Sequence, residues 1–215
     1  MPIAPLMPLF RSQSQMIDPN CLSVYGKPPT PVESKKSDFA LSFSPKHPDV
    51  KEQYSKVQTA SKELVTLSQM SDDCTSKLVL YLGAEVKKLG GNDVEAQGQI
   101  YTWLGSGITK RRQLMASAPQ HTDQSLTEQP MPLLGWTIVG HQWKLYMAFG
   151  DGNSMNDKIS IIGPVPGCNV TTETYYDSFK LLRLEERIKT WARETYWPWF
   201  RDALLKPLKT AKEGS

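Results

Sequence analysis

Residues 37–44, SDFALSFS, alternate in character: Phe39, Leu41 and Phe43 fall on one side, and Asp38, Ala40 and Ser42 on the other. A period of two is the mark of a β-strand with one face turned to a core. Ser44-Pro45 closes it, and from His47 to about Met70 the chain is polar with Val57, Leu64 and Leu67 near helical spacing. That predicts an amphipathic surface helix. LVLYLGAEV (78–86) is apolar almost throughout, as a strand buried on both faces is, and Lys87-Lys88-Leu89-Gly90-Gly91 supplies the turn that ends it. Asn92-Asp93-Val94-Glu95 then reads as a capping box. It opens a helix to about Met115, with Ile100, Trp103, Leu104 and Ile108 inward.

After a polar, proline-containing loop at 116–132, LGWTIVGHQWKLYMAF (134–149) predicts one long strand with Gly140 as a bulge or tight bend. KISIIGPV (158–165) predicts a strand paired with it through a DGNSMND hairpin loop. From Thr174 the pattern is helical, with Phe179, Leu182, Ile188 and Trp191 at helical intervals, and Trp191, Trp197 and Trp199 read as packing residues first, or as base-stacking surfaces where exposed. Pro198 predicts a kink or an end near Trp197, with a final helix to about Leu205. Residues 1–34, rich in Pro, Ser and Gln, predict an irregular arm; 35–207 a single domain; 208–215 a tail. The order strand, helix, strand, helix, strand, strand, helix predicts an α/β fold, a central mixed β-sheet flanked by helices.

Composition narrows this picture little. A chain of 215 residues builds one core, and 39% hydrophobic with 22% charged residues is ordinary for a globular protein. A net charge of +3 neither demands nor excludes nucleic acid as a partner. Cys21, Cys74 and Cys168 lie far apart with no CxxC pair, which speaks against a zinc knuckle and a disulfide framework. The start, MPIAPLMPLFRSQSQ, lacks the basic-then-apolar pattern of a secretory signal. No apolar stretch reaches the roughly 18 residues of a membrane span. An intracellular protein, cytoplasmic or nuclear, is the expectation, with the sequon at Asn169 unused.

The chemistry sits at the strand ends. Asp38 opens one strand, and Glu85-Val86-Lys87 closes another. Residues two apart in a strand share a side, so Glu85 and Lys87 project together. Pairing of the two strands brings Asp38 and Glu85 to one hard cation, and Mg²⁺ favours one or two carboxylates plus waters and phosphate oxygens. Lys87 beside the ion would orient or deprotonate the attacking water and offset charge building in the transition state. E-x-K arises often by chance, but Glu85 ends an apolar run, where an unpaired carboxylate is costly.

AEVKKLGGNDVEAQGQIYTWLGSGITKRRQL (84–114), GWTIVGHQWKLYMAF (135–149) and TWARETYWPWF (190–200) together resemble fungal proteins described as carrying a PD-(D/E)XK nuclease-like domain. In that family an acid-x-Lys strand end leads through a Gly-containing turn into a Gln-bearing helix. A strand with a Gly-His-x-Trp core follows, then a long C-terminal helix with an aromatic-Pro-Trp ending. The resemblance covers roughly residues 35 to 205 and implies the PD-(D/E)XK nuclease-like fold, Asp38 as the family's aspartate, Mg²⁺ as cofactor and nucleic acid as partner. Gln97 and Tyr101 make a Q-x-x-x-Y pattern similar to that of RecB-like nucleases. At a spacing of four they share a helix face, and either look toward the metal centre or are a solvent residue and a core-edge aromatic. Gln99 is a second candidate for the same work, and Glu33 for an extra ligand.

His141 and Trp143, two apart in the predicted long strand, share a face. His141 is either a general acid or substrate-positioning group, or a hydrogen-bonded structural residue. Lys110-Arg111-Arg112 ends the Gln-bearing helix; the cluster, Arg111 included, either grips a phosphate backbone or complements the helix dipole. Three functions stay open: a Mg²⁺-dependent nuclease, a nuclease-like scaffold reused as a small-molecule cyclase or isomerase in fungal secondary metabolism, and a non-catalytic interaction protein.

Overall fold

In the computed structural model, which describes residues 9–11, 16–22, 37–60, 65–117, 131–151 and 157–213, the apolar runs assemble into one mixed sheet. Its strands are β1 (Leu9–Arg11), β2 (Phe39–Ser42), β3 (Leu80–Lys87), β4 (Leu133–Val139), β5 (Gln142–Gly150) and β6 (Ile159–Ile162), side by side in chain order. β7 (Val170–Thr171) pairs with β5. Among the described strands only β3 and β4 run parallel, which requires a crossover between them. That crossover is α2 (Asp93–Ala116), started by Asn92, whose side chain accepts the N–H groups of Val94 and Glu95. The remaining helices are α1 (Pro48–Ala60), α3 (Tyr175–Trp191), α4 (Trp197–Phe200) and α5 (Lys206–Glu213). A mixed sheet with helices on both faces is the fold expected from the alternation of elements.

Each face has its own core. α1, α3 and the C-terminal helices cover one, around Phe43, Tyr81, Tyr196 and Trp197. α2 covers the other, with Ile100, Trp103 and Leu104 over Leu80, Leu133 and Tyr146. Two glycines let α2 lie close. A Cβ at Gly83 would meet the Trp103 ring at 2.6 Å, and one at Gly135 would meet Ile100 at 2.6 Å. β3 carries an irregularity that decides which side chains reach α2. Leu82 pairs with Leu41 but Leu80 with Ser42, so Tyr81 is an extra residue on the β3 side, a β-bulge. Leu78 and Leu80 belong to the α2 face; Tyr81 and Leu82, though adjacent, both pack on the opposite face. Beyond the bulge the alternation is reversed, and Gly83, Glu85 and Lys87 point toward α2.

Several expectations are corrected. The arm supplies β1 to the sheet edge, and Ile17 bridges to Met70 beside a one-turn helix, Pro19–Cys21, capped by Asp18. Cys21 is buried there; Glu33 lies outside the described residues. The helix expected over 47–70 is Pro48–Ala60 alone, because the stretch around Leu67 spends its backbone on other partners. Leu67 N–H donates to Ser76 O, and Asp18 N–H to Gln69 O. Leu64 and residues 118–130 and 152–156, where loops are expected, lie outside the described residues. The long strand at 134–149 is a hairpin, β4 and β5, turning at Gly140-His141 with Gly140 at φ +58°. A single positive φ at the first turn position is the II′ pattern, whose twist matches the strands. Leu89 also lies against Gly140, where a Cβ would meet it at 2.7 Å.

Pro198 does not end its helix. A π turn, Ala192–Tyr196, precedes α4 and another, Arg201–Leu205, precedes α5, which carries Pro207 as its second residue. Each proline sits two residues past a widened turn, where its missing N–H and its ring are accommodated. The helical run therefore continues through the expected tail to Glu213, burying Leu208. Phe179 and Leu182 stand exposed on α3.

Candidate active site

β2 and β3 are antiparallel, with Phe39 opposite Ala84, so one step further Asp38 stands opposite Glu85. Asp38 Oδ2 accepts the Val86 N–H at 2.8 Å, which anchors its carboxylate at the strand edge. Glu85 is only 3% exposed. Burial, and then the Asp38 carboxylate beside it, push its pKa up to about 7, with Lys87 pulling the other way. Lys87 Nζ lies 3.4 Å from Glu85 Oε1 and 2.8 Å from Glu95 Oε1. Burial works to lower the Lys87 ammonium, but its bonds to Glu95 and Glu85 outweigh that and hold it above its ordinary value. Asp38, Glu85 and Lys87 thus come together.

α2 roofs this group in register with β3. Glu95 meets Lys87 at one end, and Trp103 covers Gly83 at the other. Four helix residues advance ~6 Å and two strand residues ~6.6 Å, so Gln99, midway between Glu95 and Trp103, stands over Glu85. Gln99 Oε1 is buried and has no hydrogen-bond partner within the protein. Across the sheet, Glu85 aligns with Thr137 and Thr137 with Lys144. Lys144 Nζ is held 3.0 Å from Asp93 Oδ1. The first turn of α2 therefore restrains Lys87 through Glu95 and Lys144 through Asp93.

The other expected residues divide. Gln97 Nε2 donates to Tyr101 OH at 2.8 Å, and the Tyr101 ring meets Tyr146 edge-on at 5.6 Å, so this pair flanks the row on the α2 face. His141 is in the β-turn, where its Nδ1 lies 3.0 Å from Thr172 Oγ1, a tie between the turn and the segment after β7. Trp143 is on the opposite face, edge-on to Trp136 at 5.8 Å, and does not join the acids. Arg111 is buried: it donates to the carbonyls of Met131 and Pro132 and to Tyr196 OH, and lies over the Tyr196 and Trp199 rings. Lys110 donates to Thr66 Oγ1 and Arg112 to the Asp157 and Lys158 carbonyls. The basic cluster holds loops and helices together and presents no charge for a phosphate backbone.

The donor set fits a hard divalent cation. Two carboxylates in contact, one of them with its pKa raised to about 7 even with Lys87 beside it, form a site that further positive charge would relieve. The orphaned Gln99 oxygen adds a third hard donor above them. Mg²⁺ takes few protein oxygens and fills its octahedron with water and phosphate. Among the described residues no group of three or more His, Cys, Asp and Glu forms a metal set, so a zinc-type cage is not what this site offers.

Glu95, Thr137 and Lys144 join the site without being singled out by sequence. Glu95 carries a signal, the capping box, but its carboxylate goes to Lys87 instead of back to the helix start. Lys144 becomes visible only once the hairpin is placed, since the β4–β5 register sets its row. No curated protein and no solved structure matches the chain. Among the described residues no helix is long and apolar enough to cross a membrane. A family model described as the PD-(D/E)XK nuclease superfamily matches residues 5–197. With the paired acids, the adjacent lysine and the mixed sheet beneath them, the chain belongs to the PD-(D/E)XK nuclease superfamily.

Proposed function

We infer that the protein is a Mg²⁺-dependent phosphodiesterase acting on DNA or RNA. The observation that carries this reading is the buried Glu85 carboxylate, seated beside Asp38 with the Lys87 ammonium 3.4 Å away. Asp38, Glu85 and Gln99 Oε1 are the residues that would hold the ion. When bound, such an ion supplies Lewis-acid charge at the phosphoryl group and makes water more acidic. Lys87 orients the attacking water and offsets charge on the phosphoryl oxygens as the new bond forms. The water oxygen bonds to phosphorus, one ester P–O bond breaks, and the water's proton passes through solvent to the departing oxygen. Lys144, in the same row, attracts a neighbouring phosphate, and Gln97 and Tyr101 position the strand beside it. Plasmid and single-stranded substrates incubated with Mg²⁺ or Mn²⁺ test this. Wild type should cleave and Glu85→Ala should not; equal behaviour of the two overturns the reading.

A second reading is small-molecule chemistry on the same scaffold. It is favoured by an apolar cavity of ≈ 530 Å³ on the face away from the acids, lined by Leu82, Val86, Trp136, Ile138 and Trp143 with Glu185 at its edge. Quenching of tryptophan fluorescence by apolar ligands, abolished in Trp143→Ala, supports this alternative; no quenching removes it.

A further inference from the structure

A line of residues at four-residue intervals on α2, Asp93, Gln97, Tyr101 and Gly105, leads away from the acid row. Asp93 holds Lys144 at its start, and Tyr101 takes its hydroxyl bond from Gln97 midway. At its end is a cavity of ≈ 390 Å³ between α2, β6 and the residue after the one-turn helix. Ile159, Ile161 and Leu22 make its apolar walls; Tyr101, Thr102 and Ser106 line the α2 side. Gly105 opens onto it, since a Cβ there would meet nothing within 4 Å.

The polar atoms have defined roles. Thr102 Oγ1 donates to Gly98 O at 2.9 Å, and Ser106 Oγ to Thr102 O at 2.8 Å. Both hydroxyl protons are spent on the helix, so each oxygen offers the cavity only lone pairs. Tyr101 OH accepts from Gln97 and keeps its proton to give. One wall thus combines two acceptor oxygens with Tyr101, whose hydroxyl is on the side of Gln97, opposite branched aliphatic side chains. That chemistry fits a flat heteroaromatic ring with an amino-bearing polar edge and apolar faces. It suits a phosphate, a sugar or an alkyl chain poorly. From the Asp93 end to the cavity is ~15 Å along the helix, a distance that a few nucleotides of one strand span.

We propose that this cavity is a nucleobase pocket, taking an unstacked amino-bearing base (adenine, cytosine or guanine) of the strand whose phosphate lies at Asp38 and Glu85. The proposal rests on the phosphodiesterase reading and favours a substrate that is single-stranded where it enters, because a paired base has to unpair and unstack before it can reach the pocket.

The test uses binding in Ca²⁺ or EDTA, without turnover. Short single strands with one 2-aminopurine are compared with strands carrying an abasic site at the same position. Wild type should quench the 2-aminopurine and bind the base-bearing strand about tenfold more tightly, within the range base stacking supplies. Gly105→Leu, which fills the cavity and improves helix propensity, should abolish quenching and bind both strands equally. Ser106→Ala should reduce the preference for 2-aminopurine over an unsubstituted purine strand. Equal binding of the two strands by wild type, or discrimination that survives Gly105→Leu, overturns the pocket while leaving metal-dependent cleavage intact. A folded chain that neither binds nor cleaves any strand overturns the phosphodiesterase reading and the pocket together.

Discussion

Asp38 is tied to Val86 across the strand edge, its Oδ2 accepting the Val86 N–H at 2.8 Å. The bond turns the carboxylate toward Glu85, the residue before Val86, and explains why two acids share one corner.

Asp38→Asn keeps an oxygen for the Val86 N–H but removes the charge. Glu85 should then titrate below about 7, since Asp38 is one of the two causes of its rise. Carboxyl NMR titration reads this directly, and Mn²⁺ binding should weaken about tenfold or more. An unmoved Glu85 titration would separate the two carboxylates.

Stability should fall as pH rises through the Glu85 transition. The folded chain holds this proton to about 7 and the unfolded chain only to 4.5, so the native state binds more protons in that window. Stability is fullest below 4.5, declines toward pH 7 and levels above it. Glu85→Gln should remove the decline, a gain of about 1–2 kcal/mol at pH 8 after allowance for solvent screening. Urea unfolding in EDTA at pH 5 and pH 8 measures it, and added Mg²⁺ should restore wild-type stability at the higher pH.

Arg111→Ala should cost about 3–5 kcal/mol, because it leaves two carbonyls and the Tyr196 hydroxyl without their donor in a buried site. Denaturant melts report the loss. Strand affinity measured well below the melting temperature should not change, which distinguishes a core residue from a phosphate contact.

Glu95→Gln removes an exposed partner of Lys87 and should change stability by less than about 1 kcal/mol. The ammonium, left with Glu85 alone, should titrate lower, and the upper limb of the pH–rate profile should move down with it. A profile identical to wild type would show that Glu95 does not restrain Lys87.

The convergence of Asp38, Glu85 and Lys87 is legible because alternation in 37–44 and the E-x-K spacing both report a period of two, which local sequence expresses directly. The Asn92 cap is legible for the same reason: cap and helix are neighbours in the chain. Arg111 is not, since its burial depends on Tyr196, 85 residues away. The hairpin at Gly140-His141 hides inside a continuous apolar run, although a glycine at the first turn position is the local sign of it. Pro198 misleads because the widened turn before it is set by packing along the whole C-terminal run, not by the residues around it. Gln99 gains its place only when α2 and β3 are laid in step.

The surplus residue at Tyr81 acts as a parity switch for everything downstream on its strand. Draw that residue into the regular pleat with the chain length unchanged, and Glu85 and Lys87 would swing into the greasy chamber behind Trp136 while Val86 took their place under the helix. Substitutions at this point can be absorbed by repacking; loss of the bulge at constant chain length cannot. The chemistry of this chain thus depends on an odd-or-even rule written several residues before the first reactive atom.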